Sequence, residues 1–201
     1  MADTTDWRRF ALLLIDVQRD FWPAATAKAF PEFPTNVERL LEYSRSSGLE
    51  IVHVRAEFDP DGTDWMSPYR IKGETPCVRG TSGAGVLPCA AERTGETVLR
   101  KRTFDAFLQP DLLTHLHRAR KSFILVAGLE TSVCVLLTAA SAVQRGFLAA
   151  VVEDCCADDP FKHAAAITGY PFVFERTTLA TLETDHGRWT AMLNDLKSFG
   201  G

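Results

Sequence analysis

The run Phe10-Ala11-Leu12-Leu13-Leu14-Ile15 has no polar position and stops at Asp16. A strand with one face in water alternates polar and apolar residues, so an unbroken apolar run describes a strand covered on both faces, with a layer on each side of its sheet. Glu50 to Arg55, Ser122 to Ala127 and Phe147 to Val152 have the same character, and Thr97 to Arg100 and Pro171 to Phe174 are weaker candidates. About six strands result. Between them lie helical patterns. Thr35-Asn36-Val37-Glu38 reads as a capping box opening a helix that ends before Gly48, and Val133 to Gln144 is an alanine-rich helix stopped by Gly146. Further helices are expected over Asp111 to Arg120 and Lys162 to Thr168. Buried strands alternating with helices predict an α/β protein of Rossmann-like, three-layer α/β/α architecture with a mainly parallel six-stranded sheet, whose ligands bind beyond the carboxyl ends of the strands.

One stretch interrupts the rhythm. Ala56 to Glu96 carries ten Gly and Pro residues, too many for a central strand, and is expected as a long lid or binding loop. Its Trp65, Met66 and Tyr69 either close on a ligand or anchor the loop to the body. The 201 residues fit a single domain, 1–201, large enough to bury a core unaided. A formal charge of −4, with no basic patch interleaved with aromatics, argues against nucleic acid and leaves a small molecule as the expected partner. The five cysteines are odd in number and form no C-x-x-C pair, so reduced thiols and a cytoplasmic location are expected. Phe10 to Ile15 is too short for a signal sequence or a membrane span, so no membrane partner is expected.

Three reactive groups fall at predicted strand ends: Asp16, Lys101 and Cys134. Singly, each has an ordinary reading as a turn or cap residue, a solvated surface charge and a small buried hydrophobe. Together at one sheet edge they supply a base, a cation and a nucleophile, the parts of an activated-thiol hydrolase. Cys134 opens the predicted helix 133–144, where the helix dipole and free N–H groups favour a thiolate and could hold an oxyanion. No histidine occupies an equivalent place as base, and an Asp held near a Lys can serve instead.

The segments Leu14-Ile15-Asp16-Val17-Gln18-Arg19-Asp20-Phe21, Lys101-Arg102-Thr103-Phe104-Asp105-Ala106-Phe107 and Val126-Ala127-Gly128-Leu129-Glu130-Thr131-Ser132-Val133-Cys134-Val135, in this order, resemble the three signatures of the isochorismatase-like cysteine hydrolases. The likeness runs from Phe10 to about Leu182 and includes the strand between Gly146 and Asp154. Cys77 to Ala84 is similar to a glycine-containing loop of the amide-cleaving branches, although its glycines also suit ordinary turns. The resemblance implies a catalytic triad of Asp16, Lys101 and Cys134, a cis peptide between Leu129 and Glu130, and an oxyanion hole from the N–H groups of Glu130 and Cys134. It implies hydrolysis of the C–N bond of a small amide, carbamoyl or ureido compound through an acyl-enzyme on Cys134. Gln18 and Phe21 match pocket-facing positions, with Trp22 and Trp65 as weaker substrate-binding candidates; ordinary packing is the alternative for Phe21. Arg70, Lys72 and Arg79 could meet a substrate carboxylate or simply be solvated.

Two departures from the family narrow this reading. The histidine-containing metal motif of the nicotinamidase-like branch is replaced by Arg55-Ala56-Glu57-Phe58-Asp59, with no histidine between 56 and 113, so neither metal nor other cofactor is expected. The isochorismate-cleaving members, which protonate a vinyl ether, generally lack the cysteine, so Cys134 favours amide cleavage. Vinyl-ether hydrolysis with Asp16 as acid, and a catalytically silent binding protein, remain the alternatives. His53 is expected as a satisfied core imidazole, and His115, His117, His163 and His186 as surface residues. Cys155 and Cys156 are read as passengers. The family also implies a homo-oligomer, dimer or tetramer, for which Trp189 and Phe199 are possible contacts.

Overall fold

The computed structural model describes residues 5–198. Strands β1 (Phe10–Ile15), β2 (Glu50–Ala56), β3 (Thr97–Lys101), β4 (Phe123–Leu129), β5 (Leu148–Ala157) and β6 (Glu175–Thr177) form one sheet in the order β3-β2-β1-β4-β5-β6, every pair parallel. Every residue of β1 and β4 is buried, as unbroken apolar runs require. The helices are α1 (Ala24–Ala29), α2 (Phe33–Ser47), α3 (Ser67–Lys72), α4 (Pro110–Arg118), α5 (Leu136–Gln144), α6 (Pro160–Thr168) and α7 (Leu182–Ser198). The chain leaves β1 toward one edge and, after β3, returns to build the other, so right-handed crossovers place α2 on one face and α4 and α5 on the opposite face. The reversal lies between β1 and β4, the switch point where α/β sheets bind their ligands.

The structure corrects several local expectations. Pro171 to Phe174 is not a strand: the N–H groups of Val173 and Phe174 return to Tyr170 in a turn, and β6 begins one residue later. Thr35 lies inside α2, which opens at Phe33 with Pro34 in its first turn and no side-chain cap, because proline's fixed φ already suits a helix start. The excursion 56–96 contains α3, and α1 and α7 were not anticipated. Trp189 on α7 is 0% exposed, its ring 4.7 Å from that of Phe123, so it is core rather than a contact surface. Phe199 lies outside the described residues. His186 is likewise buried, its Nε2 2.9 Å from the Asp6 carbonyl and its ring against Trp7. His53 is buried in β2 and bonded to Glu96 at 2.9 Å.

Two details of the sheet position its carboxyl edge. Gly128 has φ +122°, and a Cβ there would sit 2.0 Å from the Ile15 carbonyl oxygen, so only glycine lets β4 pass the end of β1 this closely. Between the pairs Val126–Val151 and Gly128–Cys156, two steps along β4 correspond to five along β5. The resulting bulge carries the end of β5 forward, with Ala157 opposite Leu129.

Candidate active site

Asp16 follows β1 directly, Lys101 is the last residue of β3, and Cys134 lies in a single π-helical turn, Thr131–Val135, between β4 and α5. Their exposures are 0%, 2% and 6%. Two strand spacings, about 9–10 Å, separate β3 from β1, and the stem of a lysine is long enough to cross the end of β2, where Ala56 pairs with Lys101. Lys101 Nζ lies 2.6 Å from Asp16 Oδ2, 3.5 Å from Cys134 Sγ and 2.7 Å from the Thr103 carbonyl, to which it donates. Asp16 stands at φ +49°, its N–H bonded to the Val54 carbonyl and its own carbonyl accepting from Gln18, so both β2 and the following turn fix its backbone. The Asp16 carboxylate pairs with the Lys101 ammonium, and the Cys134 thiol and the Ala56 backbone also interact with it.

These contacts set the protonation states. Burial raises the Asp16 carboxyl above its ordinary range, opposed by Lys101. Burial works against the Lys101 charge, but Asp16 and Cys134 more than offset it and its pKa rises. Burial, and then the Asp16 charge, push the Cys134 thiol well above the usual range, with Lys101 opposing. These directions favour the ammonium at Lys101 and the neutral thiol at Cys134. For the Cys134 thiol, desolvation of the buried sulfur thus opposes the helix terminus that favours a thiolate.

The N–H groups of the turn are held at both sides. The N–H groups of Val133 and Val135 go to the Glu130 carbonyl, and that of Ser132 goes to Asp158. The N–H groups of Glu130 and Cys134 make no backbone hydrogen bond to a residue outside the turn among the described residues. The peptide between Leu129 and Glu130 is cis.

The remaining site candidates divide between the pocket and its supports. The amide of Gln18 is buried, with Nε2 donating to the Ala56 and Ala84 carbonyls and Oε1 accepting from the Ala56 N–H, so it staples the excursion to β2. Trp22 stacks on Phe33 with ring centroids 4.7 Å apart. Trp65 donates from Nε1 to the Asp59 carbonyl at 2.7 Å and, with Phe21, Met66 and Tyr69, packs on a small apolar cluster of Ala56, Phe58 and Cys77. Gly83 belongs to the same construction: a Cβ there would meet the carboxylate of Asp20, whose Oδ2 accepts from the Cys77 N–H. Arg70 and Arg79 are engaged with the Trp65 carbonyl and with Asp59. Tyr69, named in the sequence only as part of the aromatic cluster, is within electrostatic reach of Cys134, Lys101 and Asp16. Burial and Cys134 push its hydroxyl up to about 12, so it is a donor at neutral pH. It meets Phe58 and Phe104 edge-on and shares a cavity of about 330 Å³ with Asp20, Lys72 and Glu74. His163, expected at the surface, is half-buried and bonded to Thr131.

The "Isochorismatase domain" family description matches residues 10–180. The chain belongs to the isochorismatase family. Maleamate amidohydrolase from Pseudomonas putida is 30% identical over 158 residues, covering 75% of this chain and 73% of the relative. An isochorismatase family protein from Desulfovibrio vulgaris superposes with a TM-score of 0.78 at 30% identity, covering 88% of this chain and 97% of that one. N-carbamoylsarcosine amidase from Thermoplasma acidophilum gives 0.70 at 25% identity, covering 85% and 96%. Membership makes this chain a hydrolase, and both of these relatives with named activities are amidases. For the metal of the nicotinamidase-like branch the residues do not fit: Glu57 pairs with Arg100 and Asp59 with Arg79, the preceding His53 is bonded to Glu96, and no histidine lies between 56 and 113. Among the described residues no three His, Cys, Asp or Glu side chains gather as ligands. No described helix is long and apolar enough to cross a membrane.

Proposed function

We propose that the protein is a cysteine-dependent amidohydrolase that cleaves the C–N bond of a small amide, carbamoyl or ureido compound. The observation that carries this reading is the buried cluster in which one ammonium, Lys101 Nζ, lies 2.6 Å from the Asp16 carboxylate and 3.5 Å from Cys134 Sγ. Asp16 takes the proton from the thiol as sulfur attacks the carbonyl carbon, and Lys101 carries the compensating charge. The N–H groups of Glu130 and Cys134 hold the oxyanion. The C–N bond then breaks, the proton on Asp16 passes to the departing nitrogen, and ammonia or an amine leaves. Water attacks the thioester, again giving its proton to Asp16. The acid or carbamate leaves, and that proton returns to sulfur.

The roof over this centre comes from the excursion, and we assign Phe21 and Tyr69 to the substrate face, with Gln18, Trp22 and Trp65 supporting it. The Lys72 ammonium, in the cavity shared with Tyr69, offers a contact for a polar substituent. A dimer or tetramer and a cytoplasmic location belong to the same reading. Trp189 being core, the exposed Phe161 and Phe172 are the apolar residues such an assembly would cover.

The test is ammonia release by wild type and Cys134→Ala across nicotinamide, maleamate, N-carbamoyl amino acids, biuret and ureidoacrylate-like compounds. Release by wild type alone is expected. A Cys134→Ala variant that keeps activity on an isochorismate-type vinyl ether would replace this reading with acid catalysis by Asp16. Silence across the panel, with Cys134 inert to alkylation, would favour a binding protein.

A further inference from the structure

The nucleophile turn Thr131–Val135 is braced from the side by groups that the chemistry above does not use. The bulge in β5 sets Ala157 opposite Leu129, so the next residue, Asp158, stands beside Glu130 and Thr131 at the carboxyl edge of the sheet. Asp158 is 5% exposed. Its Oδ2 accepts both the N–H of Ser132 at 2.9 Å and the Ser132 hydroxyl at 2.6 Å, while Oδ1 accepts the Asp159 N–H at 2.7 Å. Asp159 in turn caps α6, accepting from the N–H groups of Phe161 and Lys162. A second strut joins the same turn to α6, with Thr131 Oγ1 2.9 Å from His163 Nδ1.

We propose that Asp158 is a positioning residue for the reaction. Through Ser132 it fixes the turn that presents Cys134 Sγ and the Cys134 N–H, without touching the reacting atoms; this rests on reading Cys134 as the nucleophile. Two observations support it. The Ser132 N–H and hydroxyl both end on one Asp158 oxygen, so the carboxylate holds the middle of the turn that carries Cys134. A carboxylate accepting two bonds at one oxygen also makes a stiffer, charge-assisted anchor than a neutral acceptor. The elements it joins do not depend on it to fold: β5 is paired on both sides, and α6 buries Ala166 and Ile167.

The experiment compares wild type, Asp158→Ala, Asp158→Asn and Ser132→Ala. Because a misplacement of about 1 Å at a reacting centre costs on the order of 10²-fold in rate, Asp158→Ala is expected to lower kcat about 10–100-fold. KM should change by less than about threefold and Tm by only a few degrees, since neither substrate contacts nor the core are altered. Asp158→Asn keeps an acceptor for the Ser132 N–H and Ser132→Ala keeps the N–H itself, so both should retain more activity than the alanine variant of Asp158. The inhibition constant of a small aldehyde that forms a thiohemiacetal with Cys134 should rise in step with the loss of kcat, while product affinity stays put. Hydrogen exchange gives a readout independent of substrate: amides 132–135 should exchange faster in Asp158→Ala, with β1 and β4 unchanged. Unaltered exchange in that turn, or a fall in Tm and KM alone with kcat intact, would overturn the proposal. A wild type inactive on every amide overturns the amidohydrolase reading instead, and the exchange comparison still decides the role of Asp158.

Discussion

At the scale of single residues, the site is a problem in placing charge where water is absent. A lone carboxylate at the position of Asp16 would be protonated, and a lone ammonium at Lys101 would be neutral. Each favours the charge of the other at 2.6 Å, and burial with the Asp16 charge pushes the Cys134 thiol up beside them. Asp16 carries a raised pKa, so its base form is depleted as pH falls, and the acid limb of kcat/KM is expected above the ordinary carboxylate range. Lys101→Ala removes the charge that opposes this rise and should move that limb to still higher pH, besides lowering the rate; a pH–rate profile of both proteins checks the direction. An acid limb unmoved in the variant would separate Lys101 from Asp16. Asp16→Asn keeps the shape but not the base and should cost about 10²–10⁴-fold in kcat/KM, measured as ammonia release. The three groups were legible in the sequence because Asp16 and Lys101 directly follow strand runs and Cys134 comes shortly after one. Their protonation was not, because desolvation depends on the lid and on neighbours distant in sequence. Tyr69 escaped for the same reason: nothing local shows that α3 brings it within electrostatic reach of Cys134.

At the scale of elements, two joints carry most of the geometry. Gly128 is where β4 crosses the end of β1, and Gly128→Ala would force a Cβ to within 2.0 Å of the Ile15 carbonyl oxygen, next to Asp16. We expect a loss of about 2–4 kcal/mol, read in a denaturant melt, together with loss of activity. A variant of wild-type stability would contradict the close approach of β1 and β4. The second joint is Glu96, which binds Arg45 of α2 at 2.7 Å, His53 of β2 at 2.9 Å and the Arg93 N–H at 2.8 Å. Burial would raise its carboxyl, but these donors prevail and hold it at about 2. A folded pKa below the unfolded value stabilises at neutral pH, and the gain is lost as pH falls from the ordinary carboxylate range toward the folded value. Glu96→Gln should therefore cost about 1–2 kcal/mol near neutrality, after allowance for partial exposure, and the deficit should shrink between about pH 5 and pH 3. Equal deficits at both pH values would contradict the assignment. The strand runs foretold β1, β2 and β4 because complete burial leaves an unbroken apolar signature. The β5 bulge left none, so Asp158 was invisible as a neighbour of Ser132. Pro171 to Phe174 misled because an apolar run also suits a turn, here one with Phe172 99% exposed.

At the scale of the whole molecule, the strand order explains why residues 16, 101 and 134 meet. β1 lies at the switch point, β4 beside it brings the nucleophile turn, and β3 sends a lysine across β2. The excursion between β2 and β3 then roofs the crevice with aromatic side chains, stapled down by Gln18. This leaves the triad nearly sealed, so a substrate small enough to pass beneath Tyr69 is what the architecture favours. The alternation of runs disclosed the architecture, and the three motifs disclosed the family. The C-terminal helix and its buried Trp189 stayed hidden, because an amphipathic helix shows which residues are apolar but not whether they meet its own core or another chain. Sedimentation at micromolar concentration tests the proposed assembly, with the mass of a single chain as the contrary result.

The most direct test of the central claim is the intact mass of the protein, quenched in acid during turnover of an amide found in the substrate panel. The account predicts a population heavier by the acyl or carbamoyl group, the adduct mapping to Cys134 and disappearing in Cys134→Ala. Continued turnover with no adduct, and with Cys134→Ala still active, would contradict it.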